Sequence, residues 1–303
     1  MSAGIVFQQM MVIFLLVMAG YAICRKGMVK PEISKGVSAL VVNICNPALL
    51  ITSAFERDSS QTAEKLLIAA VAGFCVYVVF LLSSVVFPRI MKVEPKWKKH
   101  YALMCIFGNT GFIGIPLVSA VLGPSSLIYV SIMVAYYNLL FYTYGIMLAD
   151  DEKGGFSWKN FLNMGNLAII VTLILFFFQP EVPDIFRNTL THMANSTTFL
   201  AMFVVGINVA QSNLLSIFTD KKLYIFIALR FLILPIGVSL VLRNFVTDPL
   251  IYGTMVLMCA VPVGNLPLMR VQEKGGNGEV LSRGMILSTI LSIITIPLVT
   301  LFV

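Results

Sequence analysis

Gly108-Asn109-Thr110-Gly111-Phe112-Ile113-Gly114-Ile115-Pro116 interrupts an apolar run that extends over residues 101 to 122. Glycine and proline are the poorest residues for a helix interior, so this stretch reads as a broken helix. The backbone N–H and C=O groups freed by such a break are tolerated at bilayer depth only where protein or a water-filled cavity satisfies them. Breaks of this kind line pathways. A second interrupted run, Cys259-Ala260-Val261-Pro262-Val263-Gly264-Asn265-Leu266-Pro267-Leu268, follows half a chain later and repeats the Gly-Asn and Pro-Leu elements. Paired breaks in corresponding positions of two halves point to the binding site of a secondary transporter.

The composition agrees with a membrane location. Of 303 residues, 58% are hydrophobic and 12% charged, which marks a polytopic membrane protein. The net charge of +7 comes from Lys and Arg in short loops beside apolar spans, without the aromatic interleaving of a nucleic-acid surface, so nucleic acid is excluded as a partner. Cys24, Cys45, Cys75, Cys105 and Cys259 fall in or at the ends of apolar spans with no CxxC pair, and read as packing residues. The N-terminus lacks a basic n-region and a small-residue cleavage site, so its apolar span is expected to be retained.

Ten apolar spans run over 5–24, 36–55, 66–88, 101–122, 126–148, 161–179, 191–211, 222–243, 249–269 and 284–303, each near the length a bilayer demands. The loops after spans 1, 3, 5, 7 and 9 hold most of the cations: Arg25, Lys26, Lys30 and Lys35; Arg89, Lys92, Lys96, Lys98 and Lys99; Lys153 and Lys159; Lys221 and Lys222; Arg270, Lys274 and Arg283. The opposite loops hold Arg57, Lys65, Arg187 and Arg243. By the positive-inside rule the first set is cytoplasmic, which places both termini outside a cell membrane.

Residues 1–150 and 161–303, joined by a short linker at 151–160, lay over each other as five spans plus five. The broken fourth span then stands opposite the broken ninth. An odd number of spans per half inverts the second half, giving an all-α integral membrane fold of ten transmembrane helices as an inverted repeat with broken crossing helices 4 and 9. The N-termini of the two second half-helices would converge near the midplane, an arrangement that favours an anion.

Leu40-Val41-Val42-Asn43-Ile44-Cys45-Asn46-Pro47-Ala48-Leu49-Leu50, together with the Gly108 to Leu117 run, resembles the auxin efflux carrier family of membrane transporters. Ala201-Met202-Phe203-Val204-Val205-Gly206 and Leu287-Ser288-Thr289-Ile290-Leu291-Ser292-Ile293-Ile294-Thr295-Ile296-Pro297 look like further family patterns in the same order. The resemblance implies a fold shared with bile-acid symporters and sodium/proton antiporters. It also implies a scaffold of spans 1, 2, 6 and 7, a mobile transport domain of spans 3–5 and 8–10, and a homodimer joined through the scaffold. Plant members export indole-3-acetate and bacterial relatives are associated with malonate, malate or other small carboxylates. The long cytosolic loop of many plant members is absent here, so a bacterial-type member is expected.

The expected substrate-site residues centre on the breaks: Asn109, Thr110, Gly111 and Pro116 in the first, and Pro262, Gly264, Asn265 and Pro267 in the second. A side-chain amide there can donate to a carboxylate, or it can cap its own half-helix; the same geometry permits both. The prolines hold the breaks open. Asn138, with Tyr137 and Tyr142 on span 5 and Asn43 and Asn46 on span 2, either adds polar groups to the cavity or, as such residues more often do, binds a neighbouring helix. Arg230 is the one charge deep inside a span: it either faces the cavity and attracts an anion or pairs with carbonyls in the interior. His100 and His192 are expected to titrate at an interface.

No HExxH, GxSxG, paired-acid or His/Cys metal spacing is present, so an enzyme and a cofactor are not expected. The carboxylates all fall in loops or at span ends, which favours an organic-anion transporter over the alternative of a cation-coupled symporter or antiporter of the same fold; an inside-negative potential would drive such an anion outward, so export is expected.

Overall fold

The computed structural model describes residues 3–55, 61–150, 162–211 and 220–302. The linker expected at 151–160, with Lys153 and Lys159, and Arg57 in the loop before span 3 lie outside the described residues. Secondary structure within them is helical apart from one isolated bridge. The helical runs are α1 (Ala3–Arg25), α2 (Ile33–Ser53), α3 (Ala63–Ile90), α4a (Lys98–Ile106), α4b (Thr110–Leu122), α5 (Pro124–Ala149), α6 (Met164–Phe178), α7 (Asp184–Ala210), α8 (Lys221–Leu242), α9a (Pro249–Ala260), α9b (Leu266–Glu273) and α10 (Glu279–Thr300). Seven of these, α1, α2, α3, α5, α7, α8 and α10, are long and apolar enough to cross a membrane. The pieces α4b, α6 and α9a are apolar but shorter; α4b starts at one break and α9a stops at the other.

Polar side chains start several helices where the apolar runs begin. Thr62 accepts from the Lys65 N–H, Asn163 from Asn166, Asp220 from Lys222 and Leu223, and Asp248 from Leu250 and Ile251. Each satisfies donors that the first turn leaves orphaned. Helix α7 starts seven residues before the apolar boundary at 191, because Asp184–Asn195 forms an amphipathic helix that runs into Thr197–Ala210 across Ser196. His192 therefore sits in the last turn of that first piece rather than at the head of the span.

Three wide π turns carry the same signature. Val41–Cys45, Thr110–Gly114 and Leu229–Ile233 are each followed two residues on by a proline: Pro47, Pro116 and Pro235. A proline inside a helix removes one N–H and its ring collides with the carbonyl four residues back. A turn closed by i→i+5 bonds absorbs that offence without breaking the helix.

Helix α1 packs along the apolar part of α7, and the second half of α2 packs on α6 and on the start of α7. Helix α3 packs on α4a and α5, while α9a contacts α3, α4b, α5, α8 and α10. Two ion pairs hold the ends of the interrupted helix 9. Lys65 of α3 meets Asp248 at 2.6 Å, and Arg270 of α9b grips Asp150 with a bidentate pair of hydrogen bonds at 2.8 and 2.6 Å. Partial burial pushes the Asp248 carboxyl up, but the Lys65 ammonium and two backbone N–H donors outweigh it and hold the group below its ordinary value. The Asp150 carboxylate, backed by Glu273, holds the Arg270 guanidinium above its own.

Candidate functional site

The two breaks meet. The Asn109 N–H donates to the Pro262 carbonyl at 2.6 Å and the Gly264 N–H to the Phe107 carbonyl at 2.9 Å, an antiparallel bridge centred on Gly108 and Val263. Backbone groups that leave one helix are thus satisfied by those that leave the other, as a break inside an apolar medium requires. The approach is close enough to exclude side chains. A Cβ on Gly264 would stand 2.7 Å from the Gly108 carbonyl oxygen, and one on Gly108 would stand 2.8 Å from the Val261 side chain.

Other elements fill the remaining vacancies at the crossing. Ser288 of α10 accepts from the Val263 N–H at 3.0 Å. The Asn46 amide of α2 donates to the Gly111 carbonyl at 3.1 Å. Asn109 caps its own half-helix: its side-chain oxygen accepts from the Phe112 N–H at 3.2 Å. Asn265 stands at the same position of α9b but makes no cap bond, which leaves its amide open. The two asparagines are therefore not equivalent, although their sequence contexts match.

Asn109 and Asn265 line one narrow cleft of about 10 Å³, with Phe112 of α4b, Val204, Asn208 and Thr289 among its other walls. Free space within it amounts to about a single water. Its walls come from α4b, α7, α9b and α10. Asn208 and Thr289 were not anticipated as site residues. The available signal was their helical register, since Asn208 follows Val204 and Val205 on α7 and Thr289 follows Met285 on α10, all of them lining the cleft.

The remaining expected residues divide. Thr110 and Gly111 lie in the π turn that opens α4b, and both Pro116 and Pro267 stand in the first turn of the α-helix that follows its break. Pro262 acts through its carbonyl, which accepts from Asn109, and Gly264 through the absence of a side chain. Asn138 is not brought to the cleft. It is buried between α5 and α6, where its amide donates to the Asn166 oxygen at 2.6 Å, because two apolar helices in contact leave a polar side chain only its neighbour as partner.

Arg230 does not line the cleft either. It is fully buried on the π turn of α8, where Nε donates to the Cys105 carbonyl at 2.6 Å and Nη1 to the Cys259 carbonyl at 2.9 Å. Of the two positions the sequence leaves open for it, the structure takes the interior one. The carbonyls it uses belong to the last turns of α4a and α9a, whose acceptors have no further helical N–H to receive. The guanidinium carbon also lies 4.0 Å from the Phe80 ring centre and 4.9 Å from that of Phe231. An arginine at the centre of a membrane helix costs about 3 kcal/mol on insertion scales. Two charge-assisted hydrogen bonds at about 1.5 to 3 kcal/mol each offset that cost.

Among the described residues, no group of His, Cys, Asp and Glu is arranged to hold a metal ion. The polar side chains that line the cleft, Asn109, Asn208, Asn265 and Thr289, are all neutral, and the starts of α4b and α9b stand beside them. Each helix N-terminus carries roughly half a positive charge.

The chain matches the family described as membrane transport protein over residues 5–161 and 154–300. It is similar to an uncharacterized transporter of Methanothermobacter thermautotrophicus, 23% identical over 295 residues that cover 94% of each chain. It is also similar to an uncharacterized transporter of Methanocaldococcus jannaschii, 24% identical over 212 residues, 67% of this chain and 69% of that one.

Proposed function

The chain belongs to the membrane transport protein family, of the auxin efflux carrier type, and we propose that it moves a small organic anion across the membrane by alternating access at the crossing of helices 4 and 9. The observation that carries this reading is the single cleft in which Asn109 and Asn265 meet, with helix starts α4b and α9b aimed into the same region. The Asn265 amide, which caps nothing, is the donor assigned to the substrate carboxylate. Asn208 and Thr289 complete the neutral polar lining.

The architecture proposed is ten spans in two inverted sets of five, with both termini outside. In the proposed division α1, α2, α6 and α7 form the scaffold and α3, α4a, α4b, α5, α8, α9a, α9b and α10 the transport domain; α1 packs on α7 and α2 on α6 and α7, while α1 against α10 and α6 against α5 are the faces where the two groups meet. The cleft has walls from both groups, as a site must when one group moves past the other. Exposed apolar side chains on α6, among them Leu167, Ile170, Ile174 and Phe177, need lipid or a partner; a homodimer through the scaffold supplies one.

Proteoliposomes test the function. With an imposed potential and no ion gradient, flux of labelled malonate or indole-3-acetate should follow the voltage in the wild type and fall at least tenfold in Asn265→Ala. Moving one charge is worth about 2.3 kcal/mol per 100 mV, enough to drive export alone. Proton flux driven by a sodium gradient without any organic anion would refute the reading.

A further inference from the structure

Helix ends carry charge of both signs to the crossing. Two C-termini, of α4a and α9a, arrive with their last carbonyls, and together they amount to roughly one negative charge. Helix α9a ends without a backbone cap, and the Cys259 carbonyl in its last turn receives Nη1 of Arg230. The Cys105 carbonyl in the last turn of α4a receives Nε of the same side chain. One guanidinium thus bridges the same feature of both halves, from a helix that belongs to neither break. Its third nitrogen, Nη2, is buried without a hydrogen-bond acceptor, and the Phe80 ring lies under the group. The charge is held by carbonyls and by a π face rather than by a carboxylate.

We propose that Arg230 is a built-in counter-cation, occupying the place where the converging carbonyls of α4a and α9a would otherwise hold a free monovalent cation. The negative ends of the crossing are balanced within the protein. The positive ends, at α4b and α9b, are left for the cleft. Resting on the anion-transport reading for its consequence, this assigns to Arg230 the decision that no coupling cation binds at the crossing. Arg230 is then a positioning residue that also fixes ion dependence. Lysine at this place would keep the charge but lose the two-carbonyl geometry of the guanidinium.

Thermal unfolding of the full-length protein in detergent tests the proposal without any organic substrate, so a failure to transport anions would not touch the result. Wild type should melt at the same temperature in sodium chloride and in choline chloride of equal ionic strength. Arg230→Ala should melt lower in choline chloride and regain temperature as the logarithm of added methylguanidinium, the dependence of a ligand that binds only the folded state. Arg230→Lys should fall between the two and respond little to methylguanidinium. A folded Arg230→Ala that no concentration of methylguanidinium or sodium moves would overturn the proposal, as would a saturable rise of the wild-type midpoint with sodium. Should Arg230→Ala fail to fold, Arg230→Gln decides: recovery by methylguanidinium supports the counter-cation, and a wild-type melt without it shows that hydrogen bonds alone suffice and sinks it.

Discussion

Gly264→Ala should unlock the crossing of the two broken helices. The added Cβ would stand 2.7 Å from the Gly108 oxygen, 3.1 Å from the Gly108 carbonyl carbon and 3.2 Å from the Phe107 oxygen. All three are backbone atoms in an irregular segment already tied to the partner break, so none can rotate away. Relief requires the two strands of the bridge to separate, which stretches the Gly264-to-Phe107 and Asn109-to-Pro262 hydrogen bonds. Losing two buried bonds and leaving their groups unsatisfied costs about 2 to 5 kcal/mol. At roughly 2 °C per kcal/mol for a large domain, the melting midpoint of the purified protein should fall by about 4 to 10 °C. Gly237→Ala is the control, because nothing lies within 4 Å of a Cβ there and the residue sits in the regular helix after Pro235. Alanine is the better helix former by about 1 kcal/mol, so that variant should melt at or above wild type. Equal melting of the two variants would show that the breaks do not hold each other.

Further outcomes follow from the partners at the crossing. Asn109→Ala should lose about 1 kcal/mol of stability as well as malonate or indole-3-acetate binding, since it removes a cap, whereas Asn265→Ala should lose binding and keep its melting temperature; equal melting losses in both would contradict the assigned difference. Ser288→Ala strips the acceptor from the buried Val263 N–H and should cost about 1 to 3 kcal/mol, read as a lowered midpoint that Ser288→Thr partly restores. The Asp248 carboxyl, held below its ordinary value, contributes stability that is present above the unfolded pKa and lost as pH falls through the lower folded one; Asp248→Asn should therefore melt below wild type near neutral pH and converge with it as the pH falls below the ordinary carboxylate range, and a gap that widens on acidification would reverse the assignment. Cysteines introduced at the exposed positions Lys96 and Glu64 should label from opposite sides of intact cells, with only position 64 open to an impermeant reagent.

Much of the fold is legible because the bilayer makes backbone satisfaction obligatory. Glycine and proline inside apolar runs at 108–116 and 259–268 announce carbonyls and N–H groups without helical partners, and the structure pairs those of one break with those of the other. Pro47, Pro116 and Pro235 likewise follow turns where the helix widens, whereas Pro88 and Pro297 sit in regular helix and Phe141–Gly145 widens without a proline. The amphipathic start of α7 lies outside the expected span because its apolar face is too short to count as one, although Phe186, Leu190 and Met193 at i, i+4 and i+7 give it a helical face.

Side-chain roles at the site are less legible, since an asparagine in an apolar helix says only that it needs a partner. Asn138 finds Asn166, 28 residues away on the neighbouring helix, and Asn208 reaches the cleft by the rotation of α7 rather than by any local motif. Arg230 is different, because the physical constraint on it is severe. A guanidinium among apolar helices needs acceptors, and regular helices have already committed their carbonyls to their own N–H groups. In a chain whose carboxylates all lie at span ends or in loops, the acceptors left at that depth are the carbonyls that the two breaks release. The sequence therefore contains both halves of the arrangement, one buried cation and two interrupted helices. Partners 125 and 29 residues distant, Cys105 and Cys259, supply the only element that packing had to add: which two carbonyls stand close enough to share one side chain.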